Sequence, residues 1–159
     1  MRTLLTTDKA AELVAIPKRI LRESDVAWSP LERPAPKPGK RYRTQNARRI
    51  RIRLIAEESR ETFLIVGTSN SSFSFTLKWQ DYDLARIDTG MRHRNPRRAG
   101  EPAEWVVGPH IHYFVAGHGL DHARATADYS FDDVTGALVF FARHCGVPSL
   151  PPVQETLRF

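Results

Sequence analysis

At 159 residues and 18.1 kDa the chain suits one domain with its own hydrophobic core, and 41% hydrophobic with 26% charged residues exclude a globally disordered protein. A formal charge of +6 and a pI near 9.9 put surplus arginine at the surface, where phosphate backbones are the commonest partner and a merely soluble basic protein is the plain alternative. The single cysteine, Cys145, excludes an internal disulfide, and with neither a signal-peptide start nor a membrane-length apolar run the expectation is a cytoplasmic protein without a membrane partner.

Between Thr7 and Leu21 the spacing of Leu13, Ile16 and Ile20 predicts a helix, capped by Thr7 or Asp8 and broken near Ile16 by Pro17, which has no N–H to donate. Such a helix can pack on a sheet or serve as an arm for a partner. Pro30, Pro34, Pro36 and Pro38 make Ser29 to Lys40 an extended connector. A basic run follows and ends in strict alternation: as a strand, Arg49 to Ile55 sends Ile50, Ile52 and Leu54 to one face and Arg49, Arg51 and Arg53 to the other. The three guanidiniums then form a ridge roughly 13 Å long, at about 3.3 Å per residue, suited to a phosphate backbone. Its plain reading is a soluble face paired with Glu57, Glu58 and Glu61.

Thr62 to Gly67, Phe73 to Trp79 and Tyr82 to Asp88 continue as strands joined by polar turns, an antiparallel meander. Proline, glycine and charge make Arg92 to Pro102 a loop. Beyond Pro109, His110 to Ala116 reads as a strand with His110, His112 and Phe114 on one face, and Ala123 to Tyr129 as a weaker one. The last element is a helix capped by Ser130 or Asp132, with Phe131, Val134, Leu138, Phe141 and Cys145 on its apolar stripe and Gly146 and Pro148 as its stop. His144 in its last turn sits where the helix dipole favours positive charge, and Cys145 reads as a packed thiol. The expected architecture is α+β, a twisted antiparallel sheet of about five to six strands with an N-terminal and a C-terminal helix. Along the chain it divides into a helical segment over 1–28, the proline-rich connector over 29–40 and one domain over 41–159.

Chemistry concentrates between Met91 and Phe114, where His93, His110 and His112 stand among Arg92, Arg94, Arg97 and Arg98. His110 and His112 project from one strand face about 7 Å apart. Two imidazoles there can divide acid and base roles across a phosphate, since each is populated in both protonation states near neutrality. RNA brings its own nucleophile, the 2′-hydroxyl, and Arg92 and Arg94 flank His93 closely enough to clamp the phosphoryl oxygens. A metal uses the same residues differently, as a His-x-His ligand pair completed by His93, His118, Asp121 or His122. The surrounding arginines and the lack of a carboxylate between Pro109 and Gly119 argue against it, so neither metal nor other cofactor is expected. The plain reading of any one of these histidines is a buried, hydrogen-bonded strand residue. Nucleotide-binding glycine loops, Cys-x-x-Cys pairs and a Gly-x-Ser-x-Gly elbow are all missing.

His93-Arg94-Asn95-Pro96, then Gly108-Pro109-His110-Ile111-His112-Tyr113, a terminal helix and a closing Val153-Gln154-Glu155-Thr156-Leu157 resemble a family of small uncharacterised bacterial proteins. That family carries a His-x-Asn-Pro motif followed by Gly-Pro-His-Ile/Leu-His-x-Tyr. The likeness runs from about Ile50 to the C-terminus and puts His93, Asn95, Pro96, His110, His112 and Tyr113 at motif positions, with a longer, more arginine-rich spacer here. It implies a small single-domain protein of the kind found among toxin–antitoxin and defence genes, and no particular activity.

The resulting expectation is a metal-independent endoribonuclease of bacterial-toxin type. His110 and His112 serve as base and acid with His93 assisting, Arg92 and Arg94 stabilise the phosphoryl charge, and Arg49, Arg51, Arg53, Arg97 and Arg98 hold the RNA. Its partners are RNA and a cognate inhibitory protein or RNA, and a homodimer is compatible with it. The alternatives are a non-enzymatic nucleic-acid-binding or partner-binding module, such as an antitoxin or regulator, and a small metal-dependent enzyme built on the His-x-His pair.

Overall fold

A helix, Thr7–Ala15 (α1), opens the computed structural model, which describes residues 4–31, 38–39, 47–70, 72–90, 92–97, 102–126 and 133–155. Most of the proline connector, Met91, Arg98, the expected cap and stripe residues Ser130, Phe131 and Asp132, and residues 156–159 lie outside that description. Thr6, one residue before the expected cap, accepts a hydrogen bond from the Lys9 amide, and Pro17 stops the helix as predicted, with Ile16 as its C-cap. Ile20 therefore belongs to a two-residue strand, Arg19–Ile20 (β1), rather than to the helix.

After a short 3-10 turn at Glu23–Asp25 come strands Ala27–Pro30 (β2), Arg48–Ile55 (β3), Thr62–Ser69 (β4), Phe73–Trp79 (β5) and Tyr82–Asp88 (β6). His93–Arg94 (β7) and Trp105–Val106 (β8) form a separate small hairpin. His110–Val115 (β9), Gly119–Ala125 (β10), a helix Val134–His144 (α2) and Gln154–Glu155 (β11) complete the order. Asp133 caps α2, its carboxylate accepting from the Gly136 amide.

Among the described residues the main sheet has nine strands in the order β10, β9, β6, β5, β4, β3, β2, β11, with β1 also on β3. It exceeds the five to six expected, and it is mixed, because β11 runs parallel to β2. The additional pieces, β1, β2 and β11, are only two to four residues long. They are too short to show alternation; β1 and β2 satisfy N–H and C=O groups on the outer edge of β3, and β11 adds to the edge of β2.

Alternation holds along β3: Ile50, Ile52 and Leu54 are buried and Arg49, Arg51 and Arg53 exposed. The buried side continues through Phe63, Ile65, Phe75, Leu77, Leu84 and Ile87. Helix α2 lays Leu138 and Phe141 on it, Phe141 stacking on Phe75 at 6.3 Å between centroids. Each such side chain contributes roughly 1.5–3 kcal/mol. Helix α1 lies against β6 and β9, and Leu5, Ala10 and Leu13 join the same core, so the N-terminal segment packs on the sheet rather than forming a free arm. The two helices meet at their C-terminal ends. Buried Lys18 donates there to the Val14, Ile16 and Cys145 carbonyls, and Gly146, at φ +80°, lies so close to the Ile16 carbonyl that a Cβ would sit 2.3 Å from its oxygen.

With both helices on one side, the other side of the sheet stays open over β3, β4 and β5, where alternate residues are half-buried or exposed. Among the described residues no helix is long and apolar enough to cross a membrane.

Candidate functional site

Strand register decides what shares the open face. Asp88 pairs with His110 and Arg86 with His112, while Ser74 and Thr76 of β5 pair with Asp88 and Arg86 in turn. Following the same pairs to β3 gives two continuous rows, Arg49–Thr68–Ser74–Asp88–His110 and Arg51–Val66–Thr76–Arg86–His112. Four strand spacings of about 4.8 Å put Arg51 roughly 19 Å from His112 on one surface.

His93 joins this face through the hairpin. Its strand β7 docks beside the free edge of β10, where the Asn95 side chain takes the place of a missing strand: its Nδ2 donates to the Ala123 carbonyl at 2.9 Å and its Oδ1 accepts from the Ala123 amide at 2.8 Å. The motif asparagine is therefore 6% exposed and satisfies the edge. Anchored this way, the His93 ring lies 4.5 Å from that of His112 and 5.8 Å from that of His110, centroid to centroid, and His110 and His112 are 4.9 Å apart. One ring nitrogen from each lies within 4.8 Å of the other two.

The hydrogen bonds fix the tautomers. His110 Nδ1 faces the Gly108 carbonyl at 2.7 Å, His112 Nδ1 the Leu120 carbonyl at 2.8 Å, and His93 Nε2 the Asp121 carbonyl at 2.7 Å. A carbonyl only accepts, so each of those nitrogens carries its hydrogen and the opposite nitrogen of the neutral ring carries a lone pair. Burial pushes the His110 pKa below the usual histidine range, with a further downward push from His112, against the raising effect of its bond to Gly108. The lowered pKa favours the neutral His110 ring, whose Nε2 takes part in no hydrogen bond among the described residues.

Beside them, Arg86 Nη2 approaches His112 Nε2 at 3.3 Å and Arg86 Nε donates to Asp88 Oδ2 at 2.9 Å. Asp88 Oδ2 is also 3.2 Å from His112 Nε2. Burial pushes the Asp88 carboxyl up, but His112, whose Nε2 donates to Asp88 only when the ring is protonated, a hydrogen bond from Ser74 and the Arg86 charge outweigh it and hold the pKa down at about 2. A carboxyl depressed below its unfolded value stabilises the fold fully above that value and loses the contribution as pH falls through the folded one. Asp88 is therefore expected to withdraw about 2 kcal/mol between roughly pH 4 and pH 2. Urea unfolding of the parent and Asp88→Asn across that range measures it; parallel stability curves would refute it.

These groups floor and wall a polar cleft of about 260 Å³ that also includes Ser74 and Arg92. A larger, more apolar cavity of about 380 Å³ lies between the end of α1 and the β3–β4 turn, lined by Leu13, Lys18, Glu57 and Glu61 among others. Burial lowers the Lys18 pKa there to about 8, but its ammonium is committed to three backbone carbonyls, whereas the smaller cleft gathers three histidines.

His93, His110, His112 and Arg92 of the expected site come together in this cleft. Arg92 lies over the Trp105 ring at 4.7 Å. Arg94 does not line it: alternation along β7 turns it away from His93, over Trp105 at 5.8 Å, and with Arg97 it lines a neighbouring groove. Arg49 and Arg51 are exposed with no ion-pair partner among the described residues, whereas Arg53 is held by Asp25 through two bonds of 2.8 and 2.7 Å. Arg86 and Asp88 are missing from the sequence reading; two charged residues alternating with Ala85 and Ile87 on β6 were the signal. His118 and His122, which the disfavoured metal alternative offered as further ligands, contact each other at 5.4 Å between centroids, and Asp121 offers its carbonyl to His93. His144 does not act as a cationic cap: burial and then Arg124 push its pKa down, and it stacks on Phe141. Cys145 is a packed thiol, fully buried, with its pKa pushed up by that burial.

Residues 5–147 match the model of a family described as "Family of unknown function (DUF6978)", so the relationship includes α1 and begins well before Ile50. No curated protein and no solved structure matches the chain.

Proposed function

Because the chain belongs to DUF6978, a family of unknown function, its activity is argued from the site, and we propose an endoribonuclease whose reacting centre is the cluster of His93, His110 and His112. The observation that carries this reading is the convergence of three histidine nitrogens in a cleft walled by Arg86 and Arg92. Such a centre receives the 2′-hydroxyl proton. The 2′-oxygen then attacks phosphorus, the bond to the 5′-oxygen breaks and that oxygen takes up a proton, leaving a 2′,3′-cyclic phosphate and a 5′-hydroxyl. Arg86 and Arg92 take the charge that builds on the phosphoryl oxygens. No nucleotide cofactor or redox partner enters the balance.

The two rows across the open face support single-stranded RNA as the substrate. A strand laid along them meets Arg51 or Arg49, then the small polar side chains of Thr68, Ser74 and Thr76, then the cluster. Arg53, neutralised by Asp25, contributes little. An Arg49→Gln/Arg51→Gln variant is expected to bind RNA more weakly and to flatten the plot of log affinity against log salt by roughly 0.7 per lost phosphate contact. Arg53→Gln serves as the comparison, and equal effects from both would remove the row from the binding surface.

The direct test incubates purified protein with total cellular RNA beside a His110→Ala/His112→Ala variant and maps the 3′ ends. Cyclic-phosphate ends made by the parent alone are the expected result. Binding without cleavage by the fully reconstituted parent would replace the enzyme with the binding module. An RNA-cleaving enzyme endangers its own cell, so a cognate inhibitory protein or RNA belongs to the proposal.

A further inference from the structure

We infer that His93, His110 and His112 act as joint ligands of one divalent transition-metal ion of the zinc class, rather than as a separate acid and base. Its catalytic purpose rests on the nuclease reading, but its evidence is the geometry of the cluster.

The first argument is orientation. All three rings give one N–H to a backbone carbonyl, of Gly108, Leu120 or Asp121, at 2.7–2.8 Å. That is the arrangement by which proteins hold a ligand histidine in a single tautomer with its free lone pair aimed at an ion. With those nitrogens engaged, the ones left for an ion are Nδ1 of His93 and Nε2 of His110 and His112, and one nitrogen from each ring lies within 4.8 Å of the other two. The carbonyls come from the turn before β9 and from the irregular start of β10, where the register shifts between Gly119 and His122. The backbone is thus shaped around the rings' outer nitrogens.

Spacing separates the two uses of the cluster. An acid and a base working on one phosphate stand on opposite sides of phosphorus, each within hydrogen-bond reach of an in-line oxygen, which requires about 6 Å or more between their nitrogens. One nitrogen from each histidine lies within 4.8 Å of the other two. A tetrahedral ion with Zn–N of about 2.05 Å instead needs ring centroids roughly 5.2 Å apart and nitrogens about 3.3 Å apart, so the rings close slightly around it. The observed 4.5, 4.9 and 5.8 Å bracket that value.

Donor chemistry narrows the ion. Three neutral imidazoles without thiolates suit zinc, iron, cobalt or nickel and are unsuited to magnesium or calcium, which take oxygen ligands. Asp88 supplies the carboxylate beside the cluster, 3.2 Å from His112 Nε2, and its charge offsets that of the ion. Arg86 is the competitor. Its Nη2 contact to His112 Nε2, at 3.3 Å, is longer than a usual N–H hydrogen bond, and its side chain is 36% exposed, so it can exchange that contact for a phosphate oxygen when an ion enters. A bound ion supplies Lewis acidity at the phosphoryl oxygen and a water of lowered pKa, and three protein ligands leave a position open to the cleft.

The test strips the purified full chain with EDTA, removes the chelator and titrates Zn²⁺ and Co²⁺ separately. Bound metal, the visible spectrum of the Co²⁺ form and the melting temperature are read out. About one ion per chain, intense tetrahedral Co²⁺ bands and a raised melting temperature are expected, with affinity falling at least about 100-fold in His93→Ala, a half-buried position whose loss leaves the core intact. His118→Ala/His122→Ala should bind as the parent does. Failure to bind either ion at micromolar concentration, or equal loss in the His118/His122 variant, overturns the assignment. Cleavage of RNA by the stripped protein in EDTA would overturn it while sparing the nuclease reading. A stoichiometric ion with no RNA cleavage by the loaded protein would uphold it and defeat the nuclease reading.

Discussion

Replacing His110 and His112 together by alanine is expected to lower RNA cleavage by a factor on the order of 10³ or more, the loss of two of the three rings that form the proposed reacting centre. The two rings are 3% and 1% exposed, so the change also has a structural side. It deprives the Gly108 and Leu120 carbonyls of donors and leaves two small voids, together about 2–4 kcal/mol. Activity therefore has to be read beside circular dichroism and a urea midpoint, at a temperature where the variant is folded. His93→Ala provides the complement, because that ring is partly exposed and its loss removes a cluster nitrogen with less damage to packing. If the folded double variant cleaves as fast as the parent, the cluster is not the reacting centre. If His93→Ala alone is inactive while stable, the centre needs all three rings.

The second large effect lies away from the reacting atoms. Asn95→Ala should destabilise the protein by about 2–4 kcal/mol, since it breaks two hydrogen bonds that close the buried edge of β10 and leaves the Ala123 N–H and C=O without partners. Because β7 and β8 are only two residues each, this clamp is the main tie between the hairpin and the sheet, and His93 is expected to leave the cluster when it goes. Activity should then fall toward that of His93→Ala even under conditions where the sheet remains folded. Asn95→Asp is the sharper probe: it keeps an acceptor for the Ala123 amide, loses the donor to the Ala123 carbonyl, and sets a second carboxylate beside Glu104, 3.3 Å from the present amide nitrogen. Amide hydrogen exchange at Ala123 reports the clamp directly. Unchanged protection in Asn95→Ala would show that the edge is held by something else.

Much of this protein is legible along the chain because β-structure writes itself at period two. The alternation of Arg49 to Ile55 and of Phe73 to Trp79 foretells both the strands and their buried faces, and the apolar stripe of Val134, Leu138, Phe141 and Cys145 foretells a helix packed on them. Pro17 foretells where α1 stops, and the density of histidine after Met91 foretells which part of the chain supplies the histidine cluster. These are local properties, set by the rotation per residue, by a missing N–H or by residue chemistry, and they need no knowledge of what packs where.

Convergence is of another kind. His93 is brought to His112 by an asparagine that imitates a strand on the edge of β10, and a side chain's choice of a distant backbone partner leaves no periodic mark. Arg86 and Asp88 enter the cleft because β6 pairs with β9, skipping the hairpin between them, and only register says that Asp88 faces His110. The same register separates the arginine ridge into Arg49 and Arg51, which stay open, and Arg53, which Asp25 takes from across β3. Residue types and their local spacing determined a basic sheet and a histidine-rich stretch; strand pairing and edge docking decided which three rings meet and which charges stand beside them.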